Sequence, residues 1–201
     1  MSVKKGHEIP TIDVALVTVR PVDSTDEIAL DTSSKLAVSP QIETEDAVKL
    51  IVKGRLIAQK LGASTLTGNA ITLTDNVFIP ELVKILQGGT IKYWADEDHT
   101  SEGDTDAGFG ISSYTPPTAD SRDTGEVFTL CAYSAIYNAA GLIAGYEKIE
   151  YPNCQGVPIS FSTEDGAFRA PEYTVNSAPD TNEPPYKISY IDPDKLPVVT
   201  G

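Results

Sequence analysis

The chain has 201 residues, 40% of them apolar, and its 15 Lys and Arg stand against 29 Asp and Glu, for a formal net charge of −14. This length suits one globular domain, or one domain with arms, and it can bury a core without a disulfide framework or a structural metal. So acidic a chain is not expected to grip a nucleic acid, because that affinity rests on clustered cations.

Targeting signals and thiols are sparse. No run of about 18 apolar residues occurs, so no membrane-spanning helix is expected. The N-terminus, MSVKKGHEIP, has no apolar stretch after its lysines, which predicts a cytoplasmic protein without a secretory signal. Cys131 and Cys154 form no close-spaced pair, so we expect two idle thiols rather than a disulfide.

The first half of the chain is predicted to be rich in strands. Residues 11–20 place apolar side chains on both faces, which is typical of a strand inside a sheet. Residues 45–58 alternate similarly, with Lys49, Lys53 and Arg55 on one face, and Gly54 predicts a bulge or a close backbone approach. Residues 61–73 favour a loop or hairpin with its tip near Gly68 and Asn69.

One amphipathic helix is predicted at about 77–87. Apolar side chains in residues 74–89 form one stripe, Asp75 or Asn76 can cap the start, and Gly88 can end the helix. Pro80 is tolerated only near the first helical positions, which places the regular part after about 77–80. A strand is expected to follow at 90–94.

The second half combines a long loop, further strands and a proline-rich end. Residues 95–125 are predicted as an exposed loop, with six acidic residues between Asp96 and Asp106 that lack the Gly and Glu of a calcium loop. Further strands are predicted at 126–138, 143–151, 157–162, 167–176 and 186–191.

These elements predict a mainly β fold. We expect an antiparallel β-sandwich or barrel with one flanking helix, and with extended loops and arms. The domain is predicted to span residues 11–176, with an N-terminal arm at 1–10 and a proline-rich C-terminal arm at 177–201.

The residues nominate no reaction. His7 and His99 lie in stretches without the rigid setting that a catalytic base needs, and no nucleophile elbow, zinc helix or phosphate loop occurs. We therefore expect no enzyme activity, no catalytic residue, no cofactor and no metal.

Two segments, TDNVFIPELVKILQGGTIKYW (74–94) and DGAFRAPEYTVNSAPDTNEPPYKISYIDPDKLP (165–197), are similar to one family. They resemble the tail tube, or major tail, proteins of bacteriophages and phage-like particles from Gram-positive bacteria. The resemblance implies stacked, hexameric rings that form a hollow tube in a virion tail, assembled in the host bacterial cytoplasm. It also implies contacts with tape measure, tail terminator and baseplate proteins, and a channel through which DNA passes without specific binding.

Within that expectation, five residues are assigned to contacts between subunits: Lys49, Lys53, Arg55, Tyr186 and Tyr190. Cations on a channel wall would hold DNA, so the basic residues are better used between subunits. An acidic lining would repel phosphate near the wall. The alternative is a capsid-decorating or carbohydrate-binding β-sandwich module, which would need an exposed aromatic platform or an ordered calcium loop.

Overall fold

The computed structural model describes residues 6–93, 110–121, 124–161, 164–166 and 169–199. Within these ranges the chain forms one α-helix and twelve strands that pair antiparallel. The elements in chain order are β1 (Thr11–Pro21), β2 (Ile28–Leu30), β3 (Ser33–Thr44), β4 (Val48–Val52), β5 (Arg55–Lys60), β6 (Ser64–Asp75), α1 (Pro80–Gln87), β7 (Thr90–Tyr93), β8 (Ile111–Thr115), β9 (Phe128–Tyr137), β10 (Ile143–Gly156), β11 (Glu172–Ser177) and β12 (Lys187–Ile191). The predicted fold class, mainly β and antiparallel with one helix, is confirmed.

Eight strands form one strongly curled sheet. Their order is β2-β1-β9-β10-β11-β6-β3, and β12 also pairs with β10. β2 and β3 stand at opposite ends of this order, yet only Asp31 and Thr32 separate them in the chain. Because so short a connection spans at most about 11 Å, the two ends of the sheet lie close together, as in a partly open barrel.

The curled sheet and α1 enclose one main core. Its fully buried side chains include Val17, Leu30, Ile71, Leu73, Leu82, Val83, Leu86, Phe128, Leu130, Tyr173 and Val175. α1 contributes its apolar stripe to this core and leaves Lys84 exposed on the opposite side. The predicted stripe is therefore the one that packs against the sheet.

The ends of α1 follow from two residues. Pro80 occupies the first turn, where its missing N–H is no loss, and Gly88 ends the helix with a positive φ of 79° and donates its N–H to the Lys84 carbonyl at 2.8 Å. The predicted caps, Asp75 and Asn76, are wrong. Asp75 is instead the last residue of β6, and its Oδ1 accepts hydrogen bonds from Thr32 Oγ1 and the Asn76 N–H.

The segment predicted as one strand at 45–58 is a hairpin. β4 and β5 pair around Lys53 and Gly54, whose φ values of 48° and 76° form the tight turn. Gly54 is thus a turn residue and not a bulge, and a strand and a hairpin share the same alternation of side chains.

The loop predicted near Gly68 and Asn69 is also wrong, because β6 runs through both residues. A Cβ on Gly68 would lie 2.3 Å from the Ser177 carbonyl oxygen, so the glycine serves a close approach to β11.

Two other predicted segments differ from the structure. The loop predicted at 95–125 contains β8, which pairs with β7. Tyr114 of β8 is held at the end of α1, because its hydroxyl donates to the Gly88 carbonyl at 2.7 Å and accepts from Gln87 Nε2 at 2.9 Å.

The strand predicted at 157–162 is reduced to a single bridge between Ser160 and Glu172. The acidic run at 96–106, with His99, lies outside the described residues.

The C-terminal segment is partly integrated into the domain. β12, predicted at 186–191, pairs with β10. Leu196 packs against a small second cluster formed by Leu16, Cys131 and Tyr133. The proposed arm boundary at residue 177 stays a prediction, but β12 and Leu196, both C-terminal to that boundary, are attached to the subunit's own sheet.

Both thiols are free and buried, in agreement with the sequence-based expectation. Burial raises the pKa of Cys154 to about 12 and also raises the pKa of Cys131. Because the thiolate is the reactive form, neither cysteine should react in the folded protein near neutral pH.

A matched pair of truncations tests the position of the core. Leu130 is fully buried, whereas Leu142 is 65% exposed in the turn between β9 and β10. We expect Leu130→Ala to lower the free energy of unfolding by about 2–5 kcal/mol and Leu142→Ala to change it by no more than about 0.5 kcal/mol. Urea denaturation measures both, and equal losses would contradict the described core.

Alkaline pH should destabilise the fold. Burial raises the pKa of Tyr151, Tyr173 and Cys154 to about 12, from ordinary values of 10.0, 10.0 and 9.0. The folded chain therefore keeps protons that the unfolded chain releases, so their stabilising contribution is complete below pH 9 and is lost as pH rises towards 12. Thermal melting across this range should show a falling midpoint.

Two conservative variants separate this linkage from general alkaline damage. Tyr173→Phe removes one buried hydroxyl and should make the fall of the melting temperature with pH shallower. Tyr190→Phe changes a ring that is 56% exposed and should leave that fall as steep as in the native protein. Identical slopes for the two variants would contradict a contribution from Tyr173.

Candidate self-assembly surface

The longest exposed run among the described residues includes the hairpin of β4 and β5, residues 48–60, which we call the basic hairpin. Its strands form a separate two-stranded sheet, and every residue from 45 to 60 is exposed. The large apolar side chains are 47–69% exposed and are Val48, Leu50, Ile51, Val52, Leu56 and Ile57. An isolated two-stranded hairpin is only marginally stable in water, and a contiguous apolar patch of this kind marks an interaction site.

The charge of the basic hairpin is opposite to that of the rest of the chain. It carries four cations, Lys49, Lys53, Arg55 and Lys60, and no Asp or Glu. Because these four are included in the total of −14, the remaining residues have a formal charge of −18. The basic hairpin is therefore attracted to acidic surfaces of the same protein and repelled by a second basic hairpin.

A close crossing of the chain positions the basic hairpin. β3 and β6 pair up to Thr44 and Ser64, and beyond them the Glu45 N–H donates to the Ala63 carbonyl at 3.0 Å. At Gly62 an added Cβ would overlap the Glu45 carbonyl oxygen. These two segments of the chain can therefore approach so closely only because residue 62 is glycine.

The predicted common face of Lys49, Lys53 and Arg55 is wrong. Arg55 pairs with Val52 and so shares its face, whereas Lys49 lies on the face of Ile51. Lys53 sits in the turn. The reversal of the chain at Gly54 separates the three cations, so that both faces of the basic hairpin combine apolar and cationic side chains. Their role in subunit contacts stays a prediction.

The other predicted interface residues lie on the body. Tyr186 directly precedes β12 and Tyr190 is within it, with 41% and 56% of their side chains exposed. Residues at positions 186, 188 and 190 share one side of the strand because side chains alternate. The Tyr186 ring lies 6.3 Å from the Tyr151 ring, centre to centre, at an angle of 48°.

This side of β12 borders an open depression of about 300 Å³, the apolar groove. Its lining residues come from β3, β6, β10 and the β12 segment and are Val38, Pro40, Leu66, Asn69, Ile149, Tyr151, Tyr186 and Ile188. Local residue patterns do not reveal this groove, because its walls are far apart in the chain.

The apolar groove exists because two strands share one edge of β10. β9 occupies one edge of β10 along most of its length, so β12 and β11 both pair with the other edge. β12 takes residues 146–150 and β11 takes 154–156, and the sheet continues through β6 and β3 from β11 alone. The sheet therefore splits between β12 and β11, and apolar side chains of its inner face are left uncovered at the split.

A buried amide ties the two walls of the groove together. Asn69 is 1% exposed, and its Nδ2 donates to Ser177 Oγ at 3.2 Å and to the Pro185 carbonyl at 3.0 Å. The second of these bonds fixes the segment before Tyr186 against β6. The buried amide in the groove lining is therefore hydrogen-bonded, as buried polar groups in folded proteins usually are.

Beside the apolar groove lies a smaller depression of about 180 Å³, which we call the charged recess. It is lined by Glu150, Pro152, Glu183, Pro184, Tyr186 and Lys187. Tyr186 lines both depressions and so forms the ridge between them. A hydrogen bond from Lys148 Nζ at 2.9 Å lowers the pKa of Glu150, which keeps that carboxylate ionised. Lys187 also lines the recess and Glu150 is paired with Lys148, so Glu183 is the carboxylate that an incoming cation could meet.

The described residues show neither a cluster of metal-ligating side chains nor a membrane-spanning helix. Among them no group of three or more His, Cys, Asp or Glu is placed to hold a metal ion. His7 is exposed and is the one histidine within the described ranges. None of the described helices is long and apolar enough to cross a membrane. The expectation that the chain has no catalytic residue, cofactor or metal stays a prediction.

No protein-family model matches the chain, and no curated protein does. Among solved structures, one similar chain belongs to the cryo-EM structure of the anti-feeding prophage (AFP) baseplate, 6-fold symmetrised. The two chains are 10% identical and superpose with a TM-score of 0.42, over 94% of this chain and 100% of that chain.

Excision of the basic hairpin tests its independence from the body. In the variant, Asn-Gly replaces residues 45–63 and joins the paired residues Thr44 and Ser64 by a two-residue turn. We expect the free energy of unfolding to change by no more than about 1 kcal/mol, because no excised residue is buried. A larger loss in urea denaturation would show that the basic hairpin packs against its own subunit.

Proposed function

We propose that the chain is a structural subunit that assembles with copies of itself into the tail tube of a bacteriophage or phage-like particle. The observation that carries this proposal is the basic hairpin, which is apolar, cationic and exposed along its whole length on an acidic body. The resemblance of residues 74–94 and 165–197 to tail tube proteins supplies the tube, the hexameric rings and the virion tail as the setting.

The hydrophobic effect gives the basic hairpin a reason to bind. A Val, Leu or Ile side chain gains about 1.5–3 kcal/mol on full burial, so covering the exposed half of six such side chains offers roughly 5–9 kcal/mol. That is comparable to the lower part of the cost of association, about 4–15 kcal/mol. One such contact is therefore weak alone, and several contacts closed into a ring become stable together.

Charge decides the symmetry of the contact. Two basic hairpins repel each other, so the basic hairpin must bind a different surface on the next copy. A contact between unlike surfaces is heterologous, and repeated heterologous contacts form closed rings or open helical filaments. Either outcome is an extended assembly, and a stack of rings satisfies the family resemblance.

The acidic body suits the passage of DNA. With the four hairpin cations engaged between subunits, the surfaces left to solvent would carry the −18 charge of the remaining chain. The repulsion of phosphate acts within about 8 Å of the wall at physiological salt, so DNA would pass without specific binding. Tape measure, terminator and baseplate proteins are the partners that this role requires.

A second candidate is the capsid-decorating or carbohydrate-binding module. The exposed rings of Tyr186 and Tyr190 favour it, because carbohydrate sites use aromatic platforms. It gives no role to the basic hairpin. Titration with oligosaccharides under calorimetry separates the two functions, since a tube subunit should release no heat of binding.

Negative-stain microscopy with sedimentation velocity tests the proposed function directly. We expect purified protein to form uniform hollow tubes, or rings of six copies, as its concentration rises. A single monomeric species at every concentration and ionic strength would overturn the proposal.

Charge reversal tests the part played by the basic hairpin. Lys53→Glu/Arg55→Glu should raise the concentration needed for assembly at least about tenfold, which corresponds to about 1.4 kcal/mol. Lys35→Glu/Lys84→Glu changes the net charge equally at exposed positions on β3 and α1 and should assemble normally. If both variants failed alike, general self-repulsion would explain the loss and the role of the basic hairpin would be wrong.

A further inference from the structure

We infer that the basic hairpin of one copy binds in the apolar groove of the next copy, with Arg55 directed to Glu183 of the charged recess. This inference rests on the proposed function and adds the surface that receives the basic hairpin. The occupant is a second copy of this chain, and the contact is heterologous.

The apolar groove has the size and lining for such an occupant. Its volume is about 300 Å³, whereas an apolar cavity of about 150 Å³ holds a group as large as benzene. Two large aliphatic side chains from one face of the basic hairpin can therefore enter it. Val38 and Ile188 on its two walls are 39% and 46% exposed, so both gain burial when the groove is filled.

The arrangement of charges matches as well. Arg55 and Val52 are cross-strand neighbours on one face of the basic hairpin, and such neighbours lie about 5 Å apart. Tyr186 lines both the apolar groove and the charged recess. With Val52 in the groove, the Arg55 guanidinium can therefore lie across the Tyr186 ring towards Glu183, a placement that also permits a cation–π contact.

The subunit does not fill its own groove. Its basic hairpin is exposed throughout, and the groove is open in the same structure. The β3–β6 ribbon forms one wall of the groove through Val38, Pro40 and Leu66 and then continues into the basic hairpin. To reach the groove of the same copy, the ribbon would have to reverse onto its own wall. A neighbouring copy needs no such reversal.

Disulfide cross-linking between two single-cysteine variants tests the inference. Val52→Cys is placed on the basic hairpin and Ile188→Cys in the apolar groove, and the two proteins are mixed under oxidising conditions at about pH 8. The native Cys131 and Cys154 are buried and contribute little background. We expect a cross-linked dimer in the mixture at a yield at least about tenfold above that of either variant alone.

The matched control pairs Val52→Cys with Val22→Cys. Val22 is 57% exposed and follows Pro21, which lines a different depression beside α1. Tubes that form with equal cross-linking to positions 22 and 188 would overturn the groove assignment and leave the proposed function standing. A mixture that stays monomeric by sedimentation would overturn both.

A second variant provides a readout that does not depend on thiol geometry. Ile188→Lys introduces a cation where the basic hairpin should bind, at a position exposed enough to tolerate it. We expect its melting temperature to stay within a few degrees of the native value and its assembly concentration to rise at least tenfold. Leu142→Lys, with the same charge change at a position that is 65% exposed, should assemble normally. Normal assembly of Ile188→Lys would overturn the inference.

Discussion

The pairing of β3 with β6 positions the basic hairpin and one wall of the apolar groove. At the base of the ribbon, Leu73 and Ile71 are buried in the core and fix its register. A one-residue slip would turn these side chains to solvent, so the core specifies the pairing strongly. The same ribbon then supplies one wall of the apolar groove and finally the basic hairpin. The core, the groove wall and the basic hairpin are thus connected by one run of backbone hydrogen bonds.

This coupling has an energetic consequence. The base of the ribbon is stabilised by the core, whereas every residue of the basic hairpin is exposed. Gly62 allows a close crossing between these two parts. A segment with few buried contacts belongs to the least stable part of a domain, and its order then depends on what binds it. The body of the fold can therefore form without support from the basic hairpin.

Local features of the sequence are sufficient to predict several elements. The apolar stripe around Leu82 and the stop at Gly88 define α1, and the alternation in 126–138 defines β9. β3 escapes prediction because it contains Pro40 and many polar residues, which a strand tolerates only at the edge of a sheet. The turn at Lys53 and Gly54 escapes it because a lysine with positive φ is uncommon. The cations of the candidate interface are evident from composition, but their distribution over two faces depends on that turn.

The apolar groove cannot be predicted from any local pattern. It requires β11 and β12 to share one edge of β10, and these strands are separated by nine residues without strand structure, 178–186. Side chains such as Ile188 and Val38 show the same alternation whether a strand faces a filled core or an open groove. Only the long-range pairing distinguishes the two cases. Residues at this kind of opening are therefore found from the fold and not from the periodicity.

The two free thiols determine how the covalent structure of the chain responds to redox conditions. With Cys131 and Cys154 enclosed on different parts of the sheet and unpaired, no bond in the described fold is made or broken by a change in redox potential. The folded chain therefore keeps the same covalent structure under reducing conditions and in air-saturated water, and its stability rests on noncovalent contacts alone.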